Sequence, residues 1–128
     1  MIKVYVEYGL VVKSSGTEYY KYKTIQVSGH ADNLGGTQGI KCCAGVTAVL
    51  LGLTRLLCQG ENYSYELKKG YFSLTQHEPL ENKELNSYIN LVLCQLYDIS
   101  QIYPQFFSSF ETKRLFIKKG KETQWQNQ

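Results

Sequence analysis

Segments in which apolar and polar residues alternate occur in pairs, and each pair precedes a long segment with a helical period. Residues 2–10 alternate, residues 14–16 (Ser-Ser-Gly) are typical of a turn, and residues 19–28 alternate again. A period of two places the apolar side chains of a strand on one face. These residues therefore predict an antiparallel hairpin with one buried face.

Two long helices are predicted, one after each pair of strands. The first follows a glycine-rich loop at residues 29–39, begins at Ile40 and ends near Cys58. Because it is apolar almost all round, we expect burial on most of its faces, in a core or in a subunit contact. The second covers residues 81–103, and Pro104 ends it. Its apolar stripe has spacings of three and four residues and consists of Leu85, Ile89, Val92, Leu96, Ile99 and Tyr103.

The remaining segments complete the predicted order ββαββαβ. Residues 63–76 repeat the hairpin pattern around a Lys-Lys-Gly turn, residues 106–110 form a link, and residues 115–118 form a last strand. Residues 119–128 are polar and predict a frayed tail. We expect an α+β fold with one domain over the 128 residues. Its architecture is a two-layer sandwich, in which two long helices cover a mainly antiparallel sheet of about five strands.

Charge and hydropathy argue against two classes of partner. The net charge is only +3, and Lys, which lacks the planar fork that reads bases, supplies 12 of the 14 basic residues. We therefore expect no direct nucleic-acid partner. No apolar run reaches the roughly 18 residues of a membrane span, so we also expect no membrane. The chain starts directly with a strand pattern instead of a leader pattern, which favours a cytoplasmic location.

The cysteines do not have the spacing of a metal site. Cys42, Cys43, Cys58 and Cys94 contain no C-x-x-C pair, and the two histidines are far apart in the sequence. We expect free thiols, no metal and no cofactor. Cys58 and Cys94 lie in predicted helices and are interpreted as core residues.

One histidine and one cysteine could form a catalytic pair across the glycine-rich loop. His30 follows a predicted strand, and Cys43 lies in the predicted first turn of the first helix. A helix N-terminus and a nearby imidazolium both favour a thiolate, and imidazole can carry a proton to a leaving amine. Free N–H groups of the first helical turn can bind an oxyanion. These are the parts of an acyl-transfer site with a cysteine nucleophile, although the same spacing is common for a packed cysteine.

The residues around this pair give a more specific indication. They are Ser28-Gly29-His30-Ala31-Asp32 and Cys43-Ala44-Gly45-Val46-Thr47-Ala48-Val49-Leu50-Leu51-Gly52. They resemble the ribosomal-processing cysteine protease family, in which Gly-His-Ala follows the second strand and Cys-Ala-Ala/Gly-x-Ser-Ala opens the first helix. The resemblance implies a cytosolic, homodimeric thiol protease that removes a short N-terminal extension from large-subunit ribosomal protein L twenty-seven.

The resemblance also implies roles for single residues. Cys43 matches the nucleophile, and His30 matches the general base and acid. Thr47 stands where the family usually has Ser, one helical turn after the nucleophile. The implied substrate-binding set is Gly29, Asp32, Gly35, Gly36, Gly39 and Thr47, of which the glycines match the segment that covers a bound peptide. Asp32 is also the nearest substitute for a family Asp whose position is held here by Ile40.

Two registers are possible for the nucleophile. Counted forward from His30, Cys42 falls at the family position, whereas counted back from Ala44-Gly45-Val46-Thr47, Cys43 does. Because loops absorb insertions and helices do not, we favour Cys43.

Two other functions remain open. The missing Asp, the Thr at position 47 and the longer loop would also suit a catalytically inactive, ribosome-associated peptide-binding module of the same fold. A redox or metal sensor built on Cys42, Cys43 and His30 is the third possibility. Turnover of a peptide distinguishes the protease from the module, and bound metal or a reversible disulfide would indicate the sensor.

Overall fold

The computed structural model describes residues 1–12, 14–31, 35–57, 63–77, 83–118 and 124–126. Its elements, in chain order, are β1 (Ile2–Val12), β2 (Glu18–Ser28), α1 (Gly36–Leu56), β3 (Tyr63–Lys68), β4 (Tyr71–Gln76), α2 (Lys83–Ile102), β5 (Phe107–Lys118) and β6 (Gln124–Gln126). A short 3-10 turn, Pro104–Phe106, connects α2 to β5. The predicted order ββαββαβ is confirmed, with β6 as a short addition.

The strands form one mixed sheet in the order β3-β4-β2-β1-β5-β6. Both predicted hairpins are antiparallel, and β2 pairs with β4 to join them. The pair β1 and β5 is parallel, from Ile2↔Phe107 to Gly9↔Leu115. This pairing corrects the predicted link at 106–110, because β5 begins at Phe107. The ladder with β1 holds these residues extended although their sequence does not alternate.

Both helices pack on one face of the sheet, which confirms the two-layer α+β architecture. From α1 the buried residues are Gly39, Cys42, Val46, Leu50 and Leu53, and from α2 the buried apolar residues are Leu85, Ile89, Val92 and Leu96. They meet a sheet face that includes Val4, Val6, Ile25, Val27, Phe72 and Leu74. Their spacings of three and four residues keep each set on one side of its helix.

The first helix begins earlier than predicted, at Gly36 and not at Ile40. Gly39 is buried, and a Cβ at Gly35 would come within 2.7 Å of two ring atoms of Phe106. Because glycine has no side chain, the backbone at Gly35 and Gly39 can pack closely. The second half of the predicted loop, from Gly36 onward, is therefore helical. Cys43 consequently lies about two turns inside α1 and not in its first turn.

Only one stripe of α1 is buried within the chain, so the core of one chain does not by itself provide the expected burial, for which a subunit contact is the other predicted source. Ile40, Leu51 and Leu56 are exposed. By length and composition alone, Gly36–Leu56 is apolar enough to cross a membrane, and one such helix is weak evidence for a membrane span. The core helix of a soluble protein can have the same composition, and this helix packs on a sheet.

Two further predictions differ from the structure. Cys94 is exposed on α2 and is not a core residue, whereas Cys58 lies outside the described residues. Within the predicted frayed tail, Gln124–Gln126 pair with β5 as β6, because the outer edge of β5 offers unpaired backbone groups. Residues 119–123 and 127–128 lie outside the described ranges.

Candidate active site

Gly29 connects the end of β2 to the neighbouring β3–β4 turn and lies close to the start of β1. Its N–H donates a 2.9 Å hydrogen bond to the carbonyl oxygen of Gly70, in the turn between β3 and β4. Its φ is +99°, and a Cβ here would overlap the carbonyl group of Met1. A side chain at position 29 would therefore be strained and would also collide with the start of β1. The conformation and position of Gly29 fix where His30 leaves the sheet.

Ala31 connects this strand end to the helix. It is completely buried, and its backbone N–H donates a hydrogen bond to the Sγ of Cys43 with an N to S distance of 3.0 Å. Only a small side chain fits a site so enclosed. The three residues thus have different roles. Gly29 anchors the backbone, the imidazole of His30 lines the cleft, and the N–H of Ala31 donates to the thiol.

The two adjacent cysteines have different environments. Cys42 is 0% exposed and packs in the core, and burial, with a smaller effect of Cys43, raises its pKa to about 11. Cys42 is therefore a neutral thiol at physiological pH. Cys43 is partly exposed and lines the same cleft as His30. Of the two adjacent thiols, the structure thus exposes that of Cys43 to the cleft and buries that of Cys42.

The cleft has a volume of about 450 Å³ and is partly open to solvent. Its apolar part comes from β1, β2, β3 and α1, and its polar part lies around His30, Thr47 and the β3–β4 turn. The lining residues are Ile2, Val27, Gly29, His30, Cys43, Val46, Thr47, Leu50, Leu51, Leu67, Lys68, Lys69, Gly70 and Tyr71. An extended peptide with apolar side chains suits such a surface.

The β3–β4 hairpin is the part of the site that sequence reasoning missed. Lys68, Lys69, Gly70 and Tyr71 all line the cleft. Lys68 lies 5.2 Å from the ring centroid of Tyr71 and 3.2 Å from a carboxylate oxygen of Glu66. The Lys-Lys-Gly signal indicates a turn, but the position of that turn beside His30 depends on the pairing of β2 with β4.

The predicted substrate-binding residues separate into three groups. Gly29 and Thr47 line the cleft. Gly35, Gly36 and Gly39 lie at the start of α1 and are not among the residues that line it. Asp32 lies outside the described residues.

The predicted use of the helix N-terminus as an oxyanion site is wrong for this geometry. Cys43 lies about 10 Å along the axis from the start of α1, at a rise of about 1.5 Å per residue. The unpaired N–H groups and the charge effect of a helix N-terminus are confined to its first turn. The donor that the structure does place at the sulfur is the N–H of Ala31.

The described residues contain no cluster of three or more His, Cys, Asp or Glu side chains that could hold a metal ion. The described cysteines, Cys42, Cys43 and Cys94, are free thiols.

Comparison with known proteins gives matches among solved structures. No protein-family model and no curated protein sequence matches the chain. The essential ribosomal processing protease Prp from S. aureus, solved with a covalently linked product peptide, is 23% identical, with a TM-score of 0.60, and the match covers 86% of this chain and 99% of Prp. Prp solved with a substrate peptide is 22% identical, with a TM-score of 0.62, over 88% of this chain and all of Prp (100%).

A further match is SMU.848 from Streptococcus mutans, with 15% identity and a TM-score of 0.66, over 89% of this chain and 95% of that protein. At these identities the likeness establishes the fold. The family to which the motifs point is thus represented among the structural neighbours, as the sequence resemblance predicts.

Proposed function

We propose that this chain is a cysteine endopeptidase that removes a short N-terminal extension from large-subunit ribosomal protein L twenty-seven. The observation that carries the proposal is the contact between Ala31 and Cys43, which places the accessible thiol beside the strand end that presents His30. The likeness to Prp, which was solved with substrate and product peptides, supports a peptide as the substrate.

The reaction uses His30 and Cys43, which line the cleft, and the backbone N–H of Ala31 beside the thiol. His30 takes the proton of Cys43, and the sulfur attacks the scissile carbonyl carbon. The Ala31 N–H, which donates to Sγ in the free protein, is close enough to stabilise the developing oxyanion. His30 then gives its proton to the leaving amine as the C–N bond breaks, which leaves a thioester on Cys43. Water, deprotonated by His30, hydrolyses the thioester and releases the peptide acid and the thiol.

The cleft also supports the substrate assignment. Its apolar lining suits a hydrophobic stretch on the acyl side of the cut, as the resemblance implies. Thr47 follows Cys43 by one helical turn and can donate its hydroxyl to the peptide backbone. A cytoplasmic location belongs to the proposal, because a reducing compartment keeps a nucleophilic thiol free.

A homodimer is the second part of the proposal. The exposed side chains on the two helices include Ile40, Leu51, Leu56, Leu91 and Ile102, the last with 67% exposure. A groove of about 320 Å³ between α1 and α2 is lined largely by apolar residues. A second copy that packs on this surface would bury the apolar faces of α1 that the sheet leaves uncovered.

One observation favours an inactive peptide-binding module as the second candidate. Ile40, at the position where the family has Asp, is 57% exposed and supplies no carboxylate to orient His30. The cleft would then bind the same peptide without cutting it.

Cleavage of a synthetic peptide tests the proposal. The peptide spans the N-terminus of ribosomal protein L twenty-seven from the same genome, and mass spectrometry identifies the products. We expect one cut with the wild-type protein and with Cys42→Ala, and none with Cys43→Ala or His30→Ala. Binding without a cut would support the module. A cut that persists in Cys43→Ala would overturn the assignment of the nucleophile.

A further inference from the structure

We propose that Gly70, in the turn between β3 and β4, is a positioning residue for His30: its bare Cα forms the surface against which the imidazole ring rests. The catalytic consequence of this contact rests on the proposed function, whereas the contact itself does not.

The ring of His30 occupies the space that a side chain at position 70 would need. A Cβ on Gly70 would lie within 3.0 Å of three ring atoms, Nε2, Cε1 and Cδ2. Since real Cβ atoms essentially never approach other heavy atoms so closely, the ring and a side chain at position 70 cannot both occupy their places. The turn therefore supports the ring only when residue 70 is glycine.

The turn is itself fixed relative to the strand that carries His30. The carbonyl oxygen of Gly70 accepts the N–H of Gly29 at 2.9 Å, and the neighbouring pair Ser28↔Tyr71 belongs to the ladder between β2 and β4. The backbone on both sides of the contact is thus hydrogen-bonded, whereas the His30 ring is the end of a side chain with two rotatable bonds. An added methyl group at position 70 would displace the ring before it displaced the backbone.

A second turn glycine separates this contact from ordinary turn chemistry. Gly16, between β1 and β2, has a φ of +85°, and Gly70 has a φ of +73°. Both conformations disfavour an L side chain to a similar degree. A Cβ on Gly16 would meet nothing within 4 Å, whereas a Cβ on Gly70 would meet His30. Substitution at the two positions therefore imposes similar backbone strain, but only a side chain at position 70 would contact the ring.

The test compares Gly70→Ala with Gly16→Ala, and Gly70→Asn with Gly16→Asn. Asn tolerates positive φ better than Ala, so the second pair retains the fold where Ala fails. Proton NMR reports the ring directly, because the chain has only two histidines and His77 serves as an internal reference. Unfolding midpoints and the kinetics of peptide cleavage are measured on the same samples.

We expect the Cε1 proton of His30 to shift in both Gly70 variants and to stay in place in both Gly16 variants. His77 should be unchanged in all four. The unfolding midpoint should fall by similar amounts in the two Ala variants, and by similar amounts in the two Asn variants. Turnover should drop by about 10-fold to 100-fold only in the Gly70 variants, with a smaller change in KM, because misplacing a reacting group by about 1 Å affects the chemical step.

An unmoved His30 signal in folded Gly70→Asn, or an equal movement in Gly16→Asn, would overturn the proposal. If the wild-type protein cleaves no peptide, the proposed function fails, but the NMR comparison still decides whether Gly70 seats the ring. If the ring moves while turnover is unchanged, Gly70 contacts His30 without positioning it for catalysis, and the proposal is wrong.

Discussion

The backbone N–H of Ala31 lies 3.0 Å from the Sγ of Cys43 and donates a hydrogen bond to it. The two residues come from different layers of the fold, since Ala31 follows the end of β2 and Cys43 lies well inside α1. Their contact fixes the distance between the strand end that carries His30 and the helix that carries the thiol. It is also the basis of the reaction proposed above.

Replacement of the thiol should be visible at the Ala31 amide. In Cys43→Ala the acceptor is lost, and amide hydrogen exchange at Ala31 should accelerate by about fivefold to tenfold, the equivalent of one hydrogen bond of roughly 1 kcal/mol. Exchange measured by NMR tests this, with Cys94→Ala as the control, because Cys94 is exposed on α2. Unchanged exchange in Cys43→Ala would show that the bond does not form in solution.

The buried thiol of Cys42 should make stability depend on alkaline pH. Burial raises its pKa from 9.0 to about 11 in the folded protein. Between these values the unfolded chain loses the proton and the folded chain keeps it, so stability is complete below pH 9 and falls as the pH rises toward 11. The loss due to Cys42 should reach about 3 kcal/mol, at 1.36 kcal/mol per pKa unit.

Urea titrations test this effect by measuring the free energy of unfolding of the wild-type protein and of Cys42→Ala at several pH values between 8 and 11. The contributions of other titrating groups cancel in the difference between the two proteins. The free energy of unfolding of the wild-type protein should fall relative to that of Cys42→Ala as the pH rises. A difference that stays constant over this range would contradict the raised pKa. Alkylation reagents react with the thiolate, so the protonated, buried Cys42 should be modified slowly at neutral pH until the chain unfolds.

Thr47 tests whether a hydroxyl in the cleft contributes to substrate binding. Thr47→Val keeps the shape and removes the hydroxyl, and Thr47→Ser keeps the hydroxyl. Because Thr47 is exposed, the free energy of unfolding should change by less than about 0.5 kcal/mol in either variant. We expect kcat/KM for the peptide to fall about fivefold to tenfold in Thr47→Val, for the loss of one hydrogen bond, and to be largely retained in Thr47→Ser. Equal values for both variants would exclude a role for the hydroxyl.

A buried polar cluster between β2 and α2 should affect stability without affecting catalysis. The pairing of β2 with β4 ends at Thr24↔Thr75. Beyond it, the N–H of Tyr22 donates to Oδ1 of Asn86, and the carbonyl oxygen of Tyr22 accepts from Nε2 of Gln76. The side chains thus replace the missing strand partner, as a buried backbone requires.

Asn86→Ala leaves the buried N–H of Tyr22 without this acceptor and should cost about 1–3 kcal/mol of stability. Asn90→Ala is the matched control, since it removes only the acceptor of the Tyr22 hydroxyl and should cost about 1 kcal/mol. Neither Asn lines the cleft, so cleavage per folded molecule should be unchanged in both variants. Equal losses of stability in chemical denaturation would argue against the backbone-capping role of Asn86.

Much of the fold follows from local patterns, because hairpins and amphipathic helices bring together residues that are close in sequence. The parallel pair of β1 and β5 does not follow, because it joins Ile2 to Phe107 and nothing local specifies that partner. The start of α1 does not follow either, for a different reason. Glycine has a low intrinsic helix propensity, but close contact of Gly35 with Phe106 and burial of Gly39 override it.

In the candidate site, too, some features follow from the local sequence and others depend on long-range packing. The motifs identify His30 and Cys43, and the register argument favours Cys43 over Cys42, which the structure places in the core. The contribution of Gly70 could not be read from the sequence, since Lys-Lys-Gly is equally typical of any hairpin turn. Its position beside the imidazole is a consequence of sheet order, which places β4 next to β2.

Covalent labelling with a peptidyl chloromethyl ketone tests the central claim most directly. The peptide part carries the hydrophobic stretch that precedes the expected cut, and mass spectrometry of the intact and digested protein locates the adduct. We predict one adduct per chain, on Cys43, formed at least tenfold more slowly in His30→Ala and blocked by the uncleaved substrate peptide. Labelling of Cys42 or Cys94 at a similar rate, or a rate on Cys43 that is independent of His30, would contradict the assignment of this cleft as a cysteine protease site.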